Sequence, residues 1–216
     1  METKFTEQES LAVISEMIDR ARNNVQKGAG TYMIFWGATV AVMALLNVAL
    51  AYILSGMSVS GNYAFHIWWL TLPAWAVSFI MKRKTDRTAI VKTHIDKVIS
   101  SVWKAFGIST VIFLLIVFGL SYCLHEDAHF FFLINPIIIL LTGIGEFITA
   151  KVCRFRPFLH GAIAMWAGSL ACALAIILFE GGGSVVVQFF ILAACMTVGF
   201  IIPGYKLNKL AKAHHV

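Results

Sequence analysis

Six long apolar runs alternate with polar breaks along the chain, at about 31–55, 63–81, 105–124, 130–150, 158–179 and 185–204. Each is about twenty residues, the length an α-helix needs to cross the hydrocarbon of a bilayer. In hydrocarbon a helix satisfies its own backbone, so the runs predict six transmembrane helices. Two further stretches have helical periodicity without continuous apolarity. Over 6–27, Leu11, Ile14, Ile18, Ala21 and Val25 recur every three or four residues, with Glu16, Asp19, Arg20, Asn23 and Lys27 between them. Thr6 and Glu9 have capping-box spacing, and Gly28 and Gly30 end the pattern before the first run. Over 86–104, Val91, Ile95, Val98 and Val102 form a second stripe. With no Pro or Gly before Gly107, this stripe predicts one helix continuous with the third run, projecting several turns beyond the membrane.

The breaks differ in charge, and that orients the chain. All 17 Lys and Arg lie before the first run, between the second and third, between the fourth and fifth, or after the sixth. By the positive-inside asymmetry these segments and both termini are cytoplasmic. The outer breaks are Ser55–Asn62, His125–His129 and Glu180–Ser184. Phe65, His66, Trp68 and Trp69 then form an outer aromatic belt, and Pro73 is expected to kink span two before it stops at Met81-Lys82-Arg83-Lys84.

Composition agrees. A chain that is 59% hydrophobic, with mean hydropathy +0.82 and 13% charged residues, has more apolar surface than a soluble domain can hide. Six spans leave no room for a separate soluble domain. The expected organisation is a cytoplasmic amphipathic helix in 1–28, a six-span domain over 29–205 that includes helix 86–104, and a basic tail over 206–216. The net charge of +6 fits orientation on an anionic leaflet rather than nucleic-acid binding. The polar first 28 residues are not a signal peptide. Cys123, Cys153, Cys172 and Cys195 have neither disulfide-framework nor metal-site spacing.

A faint repeat runs through the three hairpins, with Trp36, Trp103 and Trp166 beside Gly37, Gly107 and Gly168; shared interfacial composition explains it better than a true repeat. The runs Ile95–Ile99 and Trp103–Gly107, Leu141-Thr142-Gly143-Ile144-Gly145-Glu146-Phe147-Ile148 and Ile202-Pro203-Gly204-Tyr205-Lys206-Leu207 resemble a family of uncharacterised bacterial six-span membrane proteins. The resemblance covers most of the chain. It implies a bacterial inner-membrane location and no activity, so no functional residue is carried over.

Few residues suggest chemistry. Glu146 is the one carboxylate within a run, a position that suggests a proton or cation site; the competing reading is pairing or snorkelling near Lys151. His125, Glu126, Asp127 and His129, with His66, have metal-ligand chemistry, but an acidic solvated loop explains them better and no metal is expected. Asn47, Asn135, Thr142, Gln188 and Thr197 would either line a solute path or bond between helices. Asn135-Pro136 would break span four near its outer end. Ala164, Gly168 and Cys172, with Ala167, Ala171 and Ala175, give span five a close-packing face, for a neighbour within the chain before a homodimer. Enzyme signatures and cofactor-binding motifs are lacking: Gly181-Gly182-Gly183 has no following Lys-Ser/Thr.

The expected fold is therefore all-α and polytopic, with six spans and two cytoplasmic helices packed on each other. The expected function is a non-enzymatic interaction or regulatory module. Its surface would be Leu11, Ile14, Ile18, Val25, Val91, Ile95, Val98 and Val102, and its partners the bilayer and a protein at the cytoplasmic helices. The alternative is a small-solute or ion transporter using Glu146, Asn47 and Asn135.

Overall fold

The computed structural model describes residues 29–58, 60–88, 94–124 and 129–213. Regular structure in these residues is entirely helical, and six helices are long and apolar enough to cross a membrane. Leu11, Ile14, Ile18, Val25, Val91 and the loop residues His125, Glu126 and Asp127 lie outside the described residues.

The elements in order are α1 (Ala29–Gly56), a 3-10 helix (Gly61–Leu70) leading into α2 (Thr71–Thr88), α3 (His94–Leu124), a second 3-10 helix (His129–Leu133) leading into α4 (Ile134–Cys153), α5 (Arg156–Leu178), α6 (Gly182–Met196), a π-helical turn (Thr197–Ile201) and α7 (Ile202–Ala213). The last three form the sixth span. Among the described residues, Lys82 of α2 meets Ser100 of α3, and Lys206 and Lys209 of α7 lie beside Phe155 and Pro157 at the start of α5, which defines a lysine-rich end.

Proline accounts for most departures from the expected boundaries. Pro73 does not kink a continuous helix. It sits in the first turn of α2, and its missing N–H cannot serve the Trp69 carbonyl, so the chain approaches it as the tighter 3-10 helix. The Thr71 hydroxyl donates to the Trp68 carbonyl at 2.6 Å across this junction. Asn135-Pro136 likewise does not break span four; Pro136 lies in the first turn of α4, where a proline costs no hydrogen bond. Pro203 does not end span six, because helix continues to Ala213. Instead the π-turn lies just before it. Pro203 cannot donate to the Gly199 carbonyl, and the wider i→i+5 register, seen in the Ile202 amide bonded to the Thr197 carbonyl, takes over there.

Span two stops at Arg83, within the expected Met81–Lys84 stretch, while helix α2 itself continues to Thr88, since Lys and Arg are good helix formers and only the apolar pattern ends there. Of the expected helix over 86–104, residues 86–88 belong to α2 and those from His94 onward to α3, while 89–93 lie outside the described residues. Val102 and Trp103 lie against Gly145 of α4, so the C-terminal part of the stripe is covered by a span. Helix α3 begins eight residues before Val102 and α4 ends eight residues after Gly145, which makes their ends level. The described part of α3 does not project several turns past its neighbour.

The core is built by α1, α4, α5 and α6 around Ala44, Ile139, Met165, Cys172, Phe189, Leu192, Met196 and Phe200. Glycines bring these helices together. A Cβ on Gly37 would stand 2.7 Å from Phe200 Cβ, and one on Gly204 would stand 2.8 Å from the Gly30 carbonyl oxygen. Gly143 is covered by Trp166, and Gly168 receives the Cys195 sulfur. The α4–α5 connection is the tightest. Arg154 adopts the left-handed conformation (φ 52°, ψ 37°), and its amide bonds back to the Ala150 carbonyl.

Candidate functional site

Glu146 lies two turns from the lysine-rich end of α4, on the face turned to α5 and the π-turn. The periodicity of α4 puts it there. Ile139, Thr142, Gly143, Gly145, Glu146, Thr149 and Ala150 form one buried stripe, so the carboxyl occupies a core position of an otherwise apolar and small-residue face.

Its surroundings are unusual. Glu146 is 0% exposed, and neither Oε1 nor Oε2 has a hydrogen-bond partner among the described residues. The expected pairing with Lys151 does not form: Lys151 is exposed, with its ammonium 5.3 Å from the centre of the Phe147 ring. Space for the carboxyl comes from two glycines on different elements. A Cβ on Gly161 of α5 would strike Oε1, at 2.8 Å from Glu146 Cδ and 2.9 Å from the Gly199 Cα. A Cβ on Gly199, in the π-turn, would lie 3.0 Å from Oε2 and 2.5 Å from the Met165 methyl. The carboxyl is thus held in a notch whose walls are Cα–H groups and a thioether, with no strong donor.

Several other intramembrane polar groups are bonded within the bundle, while the buried Thr110 hydroxyl of α3 has no partner among the described residues. Asn47 Nδ2 donates to the Ala64 carbonyl at 3.0 Å, tying α1 to the 3-10 helix that opens span two. Ser169 donates to the Pro136 carbonyl at 2.8 Å, joining α5 to the first turn of α4. Gln188 Nε2 donates to the Ser184 hydroxyl at 3.2 Å. Thr142, Thr149 and Thr197 bond the carbonyls four residues back, at 2.7, 2.7 and 2.9 Å. Each interhelical bond of this kind is worth about 1 kcal/mol in a bundle.

The three transport candidates do not converge. Asn135 and Glu146 are on one helix, eleven residues apart, or about 16 Å along its axis. Asn47 is on α1, bonded towards the opposite end from the lysines. A small apolar groove lies at the lysine-rich end, lined by Phe155, Pro157, Lys206, Lys209 and Leu210. Of the metal candidates, only His129 falls within the described backbone, at the start of the second 3-10 helix. His66 is exposed, with Nδ1 3.0 Å from the Tyr63 carbonyl. Of the interaction stripe, Ile95 is 39% exposed, Val98 is half-buried and Val102 faces α4. The small-residue face of span five packs within the chain: Gly168 meets Cys195, and the Cys172 thiol points to the Gln188 carbonyl at 3.9 Å.

Sequence reasoning found Glu146 but missed Gly161, Gly199 and Met165, which shape its notch. Gly199 had a readable signal, since a proline four residues later removes the α-helical donor to its carbonyl. Gly161 had none, because its register against Glu146 is set by the α4–α5 turn.

No family model matches the chain, and neither the curated proteins nor the solved structures contain a match.

Proposed function

We propose that this chain is a non-enzymatic membrane-embedded interaction or regulatory module of the bacterial inner membrane, with the lysine-rich end and both termini cytoplasmic. The observation that carries the reading is the unequal packing of the spans. Span three buries 6% of its apolar window and span two 17%, against 33–44% for spans four to six. Helices in a bilayer associate by close packing rather than by escape from water, so a span with one extensive neighbour retains a face for another protein. On α3 that face includes Ile108, Val111, Ile112, Leu115 and Phe118, each more than half exposed. Ile95, 39% exposed at the lysine-rich end, lies instead on the side of α3 that Val102 turns to α4. The segment 82–104 is basic in sequence, and the acidic Glu7, Glu9, Glu16 and Asp19 of the N-terminal segment complement that charge. A transport path is disfavoured because Asn47, Thr142, Gln188 and Thr197 are bonded within the bundle, and Asn47, Asn135 and Glu146 do not converge.

The test is site-specific photocrosslinking in native membranes, with a photoreactive residue at Ile95 or Ile112 on α3 and at Leu174 or Ile177 on the exposed face of α5. Protein adducts from α3 and lipid adducts from α5 are expected. Lipid adducts alone from both helices, or solute flux through the purified protein in liposomes, overturn the reading. Impermeant thiol labelling of single-cysteine variants at Asp127 and Asn208 tests orientation: only the Asp127 variant should label from the periplasmic side.

A further inference from the structure

The notch around Glu146 brings together three features that the interaction reading does not use. A fully enclosed carboxyl has both oxygens unpartnered. Two glycines on separate elements leave the space it fills. One of them, Gly199, lies in the middle of a π-turn, an element with one residue more than an α-helical turn accommodates.

The enclosed volume selects the ligand. Sodium, magnesium or calcium would require several oxygens around one point. Here the carboxyl oxygens face the Gly161 and Gly199 backbones and the Met165 methyl, and the nearby Thr142 and Thr149 hydroxyls are bonded to the Ile138 and Gly145 carbonyls. A proton needs no additional volume. The ionisable groups on the packed elements supply no counter-charge to Oε1 or Oε2. Lys151 of α4 covers Phe147, while Lys104 of α3, Arg156 and His160 of α5 and Lys206 of α7 are exposed. Asp96 of α3 is half-buried and carries the same sign as a carboxylate. Cys195 of α6 directs its thiol to the Ala164 carbonyl at 3.7 Å.

We propose that the Glu146 notch is a proton-binding site, and that the π-turn Thr197–Ile201 is the element that moves when its occupancy changes. The chemistry is one reversible step: a carboxyl oxygen takes up a proton to form the O–H bond of the acid, and no other bond forms or breaks. The acid fits the notch as it stands and carries no charge for donors to compensate. The anion needs donors, and an enclosed unpaired charge is costly. The π-turn, whose Gly199 lines the notch, is the element whose backbone pairing can change to offer them, by converting between π and α register. Conversion of the turn from π to α register turns the following helix by about 100°. That rotation would reposition Lys206 and Lys209 at the lysine-rich end, giving a proton-controlled surface there. The proposal is independent of the interaction reading, because it concerns α4, α5 and the sixth span rather than α3.

The test uses the full-length protein in liposomes. A membrane-permeant carbodiimide reacts with a carboxyl that carries its proton: the acid O–H adds across a C=N bond, and the adduct rearranges without a leaving group. Mass spectrometry should find the adduct on Glu146 at low pH, falling at least about tenfold towards high pH as the proton is lost. Infrared difference spectra should lose an acid C=O band over the same range, and the band should be missing in Glu146→Gln. Spin labels at Leu159 and Lys209 should report a distance change with the same pH midpoint in the wild type and none in Glu146→Gln. If Glu146→Gln does not fold, Gly199→Ala serves: its methyl narrows the notch and should move the midpoint of the infrared titration. A C=O band and an adduct yield that are both constant with pH overturn the binding site. A titrating band with an unchanged spin-label distance overturns the switch.

Discussion

Span six buries 44% of its apolar window inside the molecule, and span three buries 6%, although both are long, apolar helices. Apolarity therefore does not decide which helices form the core. In a bilayer, lipid covers an apolar side chain as well as protein does, so the core forms where backbones approach closely. On the sixth span, Gly199 and Gly204 meet Met165 and the backbone of Gly30. Helix α3 also carries glycines, but among the described residues Gly107 has only the Trp75 ring at 3.8 Å from its Cβ position, and Gly119 has nothing within 4 Å. A glycine becomes a packing site only when a neighbour fills the space it leaves.

The sharpest way to break this comparison is to put the same methyl groups on both kinds of glycine. Gly161→Val should destabilise by about 3 kcal/mol through overpacking against Glu146 and the Gly199 backbone. Gly107→Val should change stability by less than about 1 kcal/mol, since Val is no worse a helix former than Gly and the nearest atom is the Trp75 ring at 3.8 Å. Thermal unfolding in one detergent, read by loss of the folded fraction, checks both, and equal effects would remove the distinction between core and peripheral spans. A smaller effect is expected where α3 does touch the core. The Trp103 ring packs edge-on against Phe200, with centroids 5.6 Å apart. Trp103→Ala should cost about 2 kcal/mol in principle, but expressed mainly as loosening of α3, seen as faster proteolysis near Lys97 with little change in global melting. If global melting falls instead by the full amount, α3 is part of the cooperative core.

The next variant concerns the join between the two regions. Asn47→Leu removes the bond to the Ala64 carbonyl and should cost about 1 kcal/mol, with faster amide exchange confined to 61–70. Exchange that rises throughout α1 would show the asparagine organising the core itself. The smallest effect is expected at Gly119→Ala, a gain of up to about 0.5 kcal/mol from better helix propensity, with no contact to disturb. A loss there would reveal a neighbour that the isolated chain lacks, and would sharpen the case for a partner on α3.

The amino-acid sequence by itself determined that the described chain is helical and that six of its helices can span a membrane, because apolar runs of this length have no other way to satisfy their backbone in hydrocarbon. It also marked Glu146, since a carboxyl in such a run is conspicuous. It did not determine which spans form the core, because lipid-facing and protein-facing positions have the same apolar composition. Nor did it show that Glu146 is unpaired, since five residues of separation from Lys151 allow a pair that the exposed lysine, turned onto Phe147, does not make. The notch, the π-turn and the engagement of Asn47 with Ala64 were decided by tertiary structure. All three depend on the register between helices, which is fixed by the two-residue turn at Arg154, the prolines at 73, 136 and 203, and the glycines that face bulky neighbours.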